Sequence, residues 1–341
     1  MKKFLIGFIL LVGLVGIVSA ADAKSGNKKA AAKTVKISVG YENATTEPAA
    51  KAVEMWAKLV KERSNGSMEL ALFPNSALGK KTELIDQMIT GEAMITVADG
   101  AFLAEYGVPD FGIFYAPFAF ETWDEVWKVL GTSWYRDLCN TLAKKANIRV
   151  LTSNWIYGAR DIISTKKVVV PADLAGLKMR VSPNKLSIDS FKSLGAAAIG
   201  MDMGEVYQAL QSKTIDAVEN PAAPLANRSF HEVAKYLCED HHILAASMWI
   251  CGERFFKTLS AEQQKILMTT ADEAGLFNNE LQSAATEDAK KKMIAAGVTI
   301  TTPNAAEKKA WVDAAQKFLK TGGKSLGWSD GLYDSVRAAV K

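Results

Sequence analysis

Cysteine is scarce: Cys139, Cys238 and Cys251 are the only three in 341 residues. An odd and sparse set cannot supply a disulfide framework, so the thiols read as buried side chains. Cys238, His241 and His242 stand close in sequence, but structural zinc wants four ligands and no fourth is evident. No metal and no other cofactor is therefore expected. An excess of one charge is lacking too, since 41 Lys and Arg face 37 Asp and Glu, a net +4. Without a long basic block, nucleic acid is excluded as the expected partner. Catalytic signatures are missing as well. There is no Gly-x-Ser-x-Gly elbow, and His231-Glu232 lacks the second histidine of a zinc protease. Gly322-Gly323-Lys324-Ser325 imitates a phosphate loop but has Phe318 where the first glycine belongs. With no nucleophile set beside a base, an enzyme is not expected.

Apolar runs long enough to span a bilayer are also lacking. The longest, Phe4 to Val18, follows Lys2 and Lys3 and ends in Val18-Ser19-Ala20-Ala21. It falls short of the roughly 20 residues a spanning helix needs. This order of charge, apolar run and small residues reads as a cleaved signal peptide over 1–20, exporting the chain to the periplasm. An uncleaved anchor helix is the alternative. No cysteine lies near the cleavage point to accept lipid, and 21–33 reads as a small, polar, disordered leader. Losing Lys2 and Lys3 from the 41 leaves 39 basic side chains against 37 acidic ones. A partner must then be chosen by local contacts.

What is present is enough chain for two cores. Strand and helix patterns alternate from Val35: strand 35–39, helix 48–62 burying Val53, Trp56 and Val60, strand 68–73, helix 80–89, strand 93–98. That βαβαβ order predicts an α/β fold with a mainly parallel sheet. A Gly/Pro/aromatic stretch, 106–120, precedes a helical pair ending near Lys145 and a strand at 148–151. A second lobe is expected to begin near Gly158, with strands at 161–164, 177–181 and 215–219. A helical period from Ala261 to about Ala296, broken only by Gly275, predicts a helix of about 54 Å, too long for one lobe. Another helix is expected over 305–320. The expected boundaries are 34–157 with 246–285 for the first lobe and 158–245 with 286–341 for the second.

In Leu177-Lys178-Met179-Arg180-Val181-Ser182, strand alternation sets Leu177, Met179 and Val181 on one face and Arg180 on the other. Arg180 ends its strand just before a helix, where open α/β sheets take ligands, and its guanidinium fork matches a carboxylate. The residues alone leave open a solvated strand arginine. Asn43 and Asp99 both lie just past strand ends, at the loop edge a cleft needs; turn and capping roles fit them equally. Met203 and Trp249 are candidates for an apolar wall, against core packing, while Trp56 and Trp155 read as core.

Several ordered motifs resemble one family. They are Asp173-Leu174-Ala175-Gly176-Leu177-Lys178-Met179-Arg180-Val181, Leu194-Gly195-Ala196, Gly204 to Gln211 (GEVYQALQ) and Ile215-Asp216-Ala217-Val218-Glu219-Asn220-Pro221. Asn75 to Gly79, Ala116 to Phe120, His242 and Leu259 to Gln263 extend the likeness over nearly the whole chain past the leader. The chain resembles the DctP-type extracytoplasmic solute receptors of tripartite ATP-independent periplasmic (TRAP) transporters. The resemblance implies a periplasmic-binding-protein fold, two α/β lobes around a ligand cleft, joined by crossing strands and the long helix. It implies that Arg180 grips a ligand carboxylate, that Asn220 lines the same pocket, that Arg160 is a second basic contact, and that Asn43 and Asp99 touch the rest of the ligand.

The implied ligand is a small organic acid, a carboxylate or dicarboxylate. It would be delivered by a monomeric receptor to membrane subunits for ion-gradient-driven import. A receptor for a membrane sensor kinase would share the fold and pocket. Relatives that take sialic acid tend to have an acid after Leu-Gly, where this chain has Lys80 and Lys81, and a basic residue where Phe102 stands. These departures argue against a large polyhydroxylated acid and leave Lys81 either to meet a second carboxylate or to stay solvated at a helix start.

Overall fold

A computed structural model describes residues 34–340; the signal peptide and leader expected over 1–33 lie outside them. Alternation in Val35–Gly40 (β1) buries Ile37 and Val39. Helix Pro48–Arg63 carries proline in its first turn and Lys61 and Arg63 in its last, where each suits the helix ends. Its buried stripe of Val53, Trp56 and Val60 covers β1 and its neighbours Met68–Phe73 (β2) and Met94–Ala98 (β3). Both strands pair parallel to β1, as the βαβαβ pattern requires.

The remaining strands are Ile148–Ser164 (β4), Lys178–Val181 (β5), Ala197–Gly200 (β6), Ala217–Pro221 (β7), Tyr236–Gly252 (β8) and Thr299–Thr301 (β9). The sheet runs β2-β1-β3-β8-β4-β7-β5-β6, with β9 beside β8. β4 and β8, 17 residues each, lie antiparallel and belong to both lobes. The end of β8 pairs with β3 in the first lobe, while the end of β4 pairs with β7 in the second. The two strands expected at 148–151 and 161–164 are thus one, bent by register shifts between Val150 and Ile162. Gly158 sits within that bend at φ 136°, and a Cβ there would lie 2.7 Å from the Pro221 ring.

Each lobe's part of the sheet is covered on both faces by apolar clusters. Leu177, Met179 and Val181 all enter the second lobe's core, as the alternation in β5 predicts. The long helix, Ala261–Ala295, packs on helix Pro48–Arg63 and β4 and then on helix Ala222–Asn227, so it serves both lobes. The last helix, Leu332–Val340, differs from the expected division. It lies on helix Trp123–Leu130 of the first lobe, where Arg337 bonds Glu125 at 2.7 Å and Glu121 at 3.1 Å. Its apolar stripe of Leu332, Val336 and Val340 finds its complement there rather than with 158–245.

Candidate functional site

The strand ends meet at a cleft between the lobes, a cavity of about 310 Å³. From the first lobe, β1 leads into Glu42 and Asn43, β3 into Asp99, and a helix start brings Lys80 and Lys81. From the second, β4 supplies Tyr157 and Arg160, β5 supplies Arg180, β7 supplies Asn220, and the turn after β6 brings Asp202 and Met203. Seven of the eight residues expected from sequence line this cavity.

Trp249 does not. Its indole is fully buried, 5.1 Å from the Trp155 ring and 5.7 Å from Trp56, inside the first lobe's core. Ala245, Ala246 and Ser247, earlier on β8, line the cavity instead. An apolar residue on a strand crossing two cores can face either side, and its position in sequence does not say which.

Arg180 is only 2 % exposed. Its Nε donates to the Met201 carbonyl at 2.8 Å, and its buried Nη1 has no partner among the described residues. Burial lowers its pKa, only partly opposed by Glu219. A buried cation without a carboxylate of its own is costly unless something supplies one.

Arg160 is placed differently. Its Nε and Nη2 both bond Glu219, Nη2 to Oε1 at 2.7 Å, and Tyr115 and Tyr157 place their rings 5.1 and 5.9 Å from the guanidinium. Burial works against this charge, but Glu219 with the Tyr115 and Tyr157 side chains outweighs it and the pKa is raised. Behind the pair, Glu219 faces His242 Nε2 at 3.3 Å, and His242 Nδ1 meets Asp240 at 2.9 Å. Burial raises the Glu219 carboxyl, but Arg160 and His242 together outweigh it and hold the group down at about 2. Burial likewise opposes the His242 charge, yet Asp240 and Glu219 bring it up to about 9.

The other polar groups fall into two sets. Asn220 turns its Nδ2 toward the Met203 sulfur at 3.9 Å, and its buried Oδ1 has no partner among the described residues. Asp99 caps helix Gly100–Ala104, its Oδ1 accepting from Ala101 and Phe102 N at 3.0 and 3.1 Å. Burial pushes its carboxyl up, against the pull of Lys81. Asn43 donates to Glu47 Oε2 at 2.7 Å. Lys81 Nζ lies 3.4 Å from Glu42 Oε2 and 4.5 Å over the Phe102 ring.

The sequence reading did not single out Glu42, Tyr115 or Arg228. Arg228 reaches from the second lobe to the Glu42 carbonyl at 2.9 Å. The run of aromatics at 106–120 is the one signal that pointed toward Tyr115.

Residues 39–324 match the model of the bacterial extracellular solute-binding protein family 7, DctP. The chain belongs to this family. Among relatives of this receptor, the 2,3-diketo-L-gulonate-binding periplasmic protein YiaO of Escherichia coli is 32% identical over 276 residues, 81% of this chain and 83% of that one. A TRAP periplasmic solute-binding protein of Actinobacillus succinogenes, solved with L-galactonate, superposes with a TM-score of 0.85 at 33% identity. It covers 90% of this chain and 99% of its own. One from Ochrobacterium anthropi, solved with L-fuconate, gives 0.83 at 35% identity over 90% and 100% of the two chains. The DctP receptor is a TRAP solute-binding protein and not an enzyme. In that light the arrangement above is a binding cleft, formed by two lobes with hydrogen-bonding groups from both.

Proposed function

We propose that the receptor captures one monoanionic, polyhydroxylated acid of six-carbon sugar-acid type, smaller than the acid that Lys80, Lys81 and Phe102 argue against, and that Arg180 is its carboxylate grip. The observation that carries this is the lone charge of Arg180. The other cations of the wall are largely spoken for: Lys80 pairs with Asp202, Lys81 with Glu42, and Arg160 with Glu219. Among the described lining residues, Arg180 and Arg228 are then balanced by one acid outside those pairs, Asp99, which leaves a net charge of +1. One ligand carboxylate neutralises the site, and its own hydrogen bonds to the guanidinium would be charge-assisted.

Asn220 Oδ1 and Asp99 call for hydroxyl donors, which a sugar acid has. A dicarboxylate would instead bring its second carboxylate to Asp99. The named ligands of the related proteins, 2,3-diketo-L-gulonate, L-galactonate and L-fuconate, support the same class. In this reading Arg160 adds its field and its remaining Nη1, Asn43 and Lys81 bound the far end, and Met203 forms part of the apolar wall.

The rest of the reading follows the family. The segment 1–20 is removed on export to the periplasm, the lobes divide near residues 158 and 246, and a monomer delivers its ligand to membrane subunits of a TRAP transporter. Calorimetric titration with L-galactonate, L-fuconate, 2,3-diketo-L-gulonate and succinate tests the class. At least one six-carbon acid is expected to bind more tightly than succinate, and the reverse order would overturn it. Arg180→Ala is expected to weaken that binding roughly a hundredfold or more, from two lost charge-assisted bonds of about 1.5–3 kcal/mol each. Near wild-type affinity would remove Arg180 from the grip.

A further inference from the structure

Among the polar contacts that tie the lobes together outside the crossing strands, three involve charged side chains placed around the cleft and its neighbouring helices. Lys80, at the N-cap of helix Lys81–Thr90, bonds Asp202. Arg228 Nη2 donates to the Glu42 carbonyl at 2.9 Å, and Lys185 N donates to Glu105 Oε1 at 2.9 Å. Lys80 and Asp202 are the exposed pair, their side chains 57% and 38% accessible at the rim of the cavity.

Asp202 occupies a telling place in the chain. The residue before it, Met201, gives its carbonyl to Arg180 Nε, and the residue after it, Met203, sets its sulfur against Asn220. On the opposite wall Lys80 is followed by Lys81, which is held on Glu42 and Phe102. The turn that seats the guanidinium therefore also presents the acid that meets the other lobe.

We propose that Lys80 and Asp202 form a latch across the cleft mouth and that the turn Met201–Met203 couples this latch to the seating of Arg180. The ion pair exists only where the lobes have met, so it adds to the closed form and not to the open one. A ligand that fixes Arg180 also fixes the Met201 carbonyl, and with it the position of Asp202. Retention of the ligand then depends on two residues whose charges satisfy each other. The part concerning ligand retention rests on the receptor reading above.

Gln87 and Gln208 are exposed, one on each lobe, and spin labels on Q87C and Q208C report lobe separation in the whole mature chain. Without ligand, Lys80→Ala and Asp202→Ala should each move the distance distribution toward longer separations. The exchange of Lys80→Asp with Asp202→Lys should restore it. With L-galactonate as the probe, each single variant should release it roughly two- to fivefold faster than wild type, the range of exposed ion pairs, and the exchange should recover the slow rate.

Unchanged distributions in both single variants overturn the latch, as does an exchange variant no better than the singles. Matching thermal midpoints in the two single variants and wild type separate an opened cleft from a damaged fold. If wild type does not bind L-galactonate, it is the ligand assignment that fails, and the distance comparison still decides the latch.

Discussion

Arg160 and Arg180 are the same side chain under the same burial with opposite outcomes, because a carboxylate from β7 reaches one and not the other. Sequence alternation placed Arg180 off the core face of β5. It could not show that Glu219, arriving from another strand, takes up two nitrogens of Arg160. Asn220 was pointed to only by the family resemblance of Glu219-Asn220-Pro221, whereas Asp99 was legible for the same reason as Arg180, since strand ends in such sheets open on one edge. Trp249 was not, because period two fixes which residues share a face and not whether a cleft or a core covers it.

Asp99 carries the sharpest prediction at this scale. Asp99→Asn keeps an acceptor for Ala101 and Phe102 N, so the helix cap and the fold persist. It removes a carboxylate that would accept from ligand hydroxyls. Titration should show affinity for the six-carbon acid falling about tenfold or more, while succinate binding rises. A variant whose preference between the two acids does not move would place Asp99 outside the ligand's reach.

At the scale of elements, the early βαβαβ unit and the long helix were readable because each keeps one period over its length. β8 was not, since Glu239, Asp240, His241 and His242 interrupt its apolar pattern: the two histidines find partners in Asp161 of β4, Glu219 of β7 and Asp240, while Glu239 meets Lys290 of the long helix and Thr302. The place where the long helix crosses β4 carries another prediction. Gly275 sits there, and a Cβ on it would stand 2.2 Å from Asn154 Oδ1 and 2.6 Å from the Trp155 ring. The Trp155 indole is fixed by its bond to the Ala271 carbonyl at 2.9 Å, and Asn154 by its bond to the Asp272 carbonyl at 2.9 Å. In an exposed helix, Gly→Ala gains about 1 kcal/mol. At this crossing Gly275→Ala is expected to cost about 1–3 kcal/mol instead, as overpacking does. Denaturant unfolding decides the sign, and a stabilised variant would show that helix and strand can part.

At the scale of the whole molecule, the buried chain Arg160–Glu219–His242–Asp240 ties β4, β7 and β8 together behind the cleft. The two-lobe plan gave no hint of it, because it is built from side chains distant in sequence. Its titration sets how stability depends on pH. His242 ordinarily titrates near 6.5 and is brought up to about 9 here, so the folded chain keeps a proton that the unfolded chain releases as pH rises. Stability from this group is complete below about 6.5 and is lost as pH climbs toward 9, by about 3 kcal/mol. Glu219 acts at the other end: held down at about 2 against an ordinary 4.5, it contributes above 4.5 and loses that contribution as pH falls toward 2. The groups facing His242 are Asp240 and Glu219, with the aromatic ring of Phe191 5.2 Å away. His241 and Asp161 form a neighbouring pair at 2.7 Å, and that pair raises the His241 pKa as well. Unfolding free energies at pH 6, 7.5 and 9 should therefore fall steadily in the wild type. In His242→Gln they should start lower and change less over the same range. Parallel curves for the two proteins would show that His242 does not carry the alkaline loss.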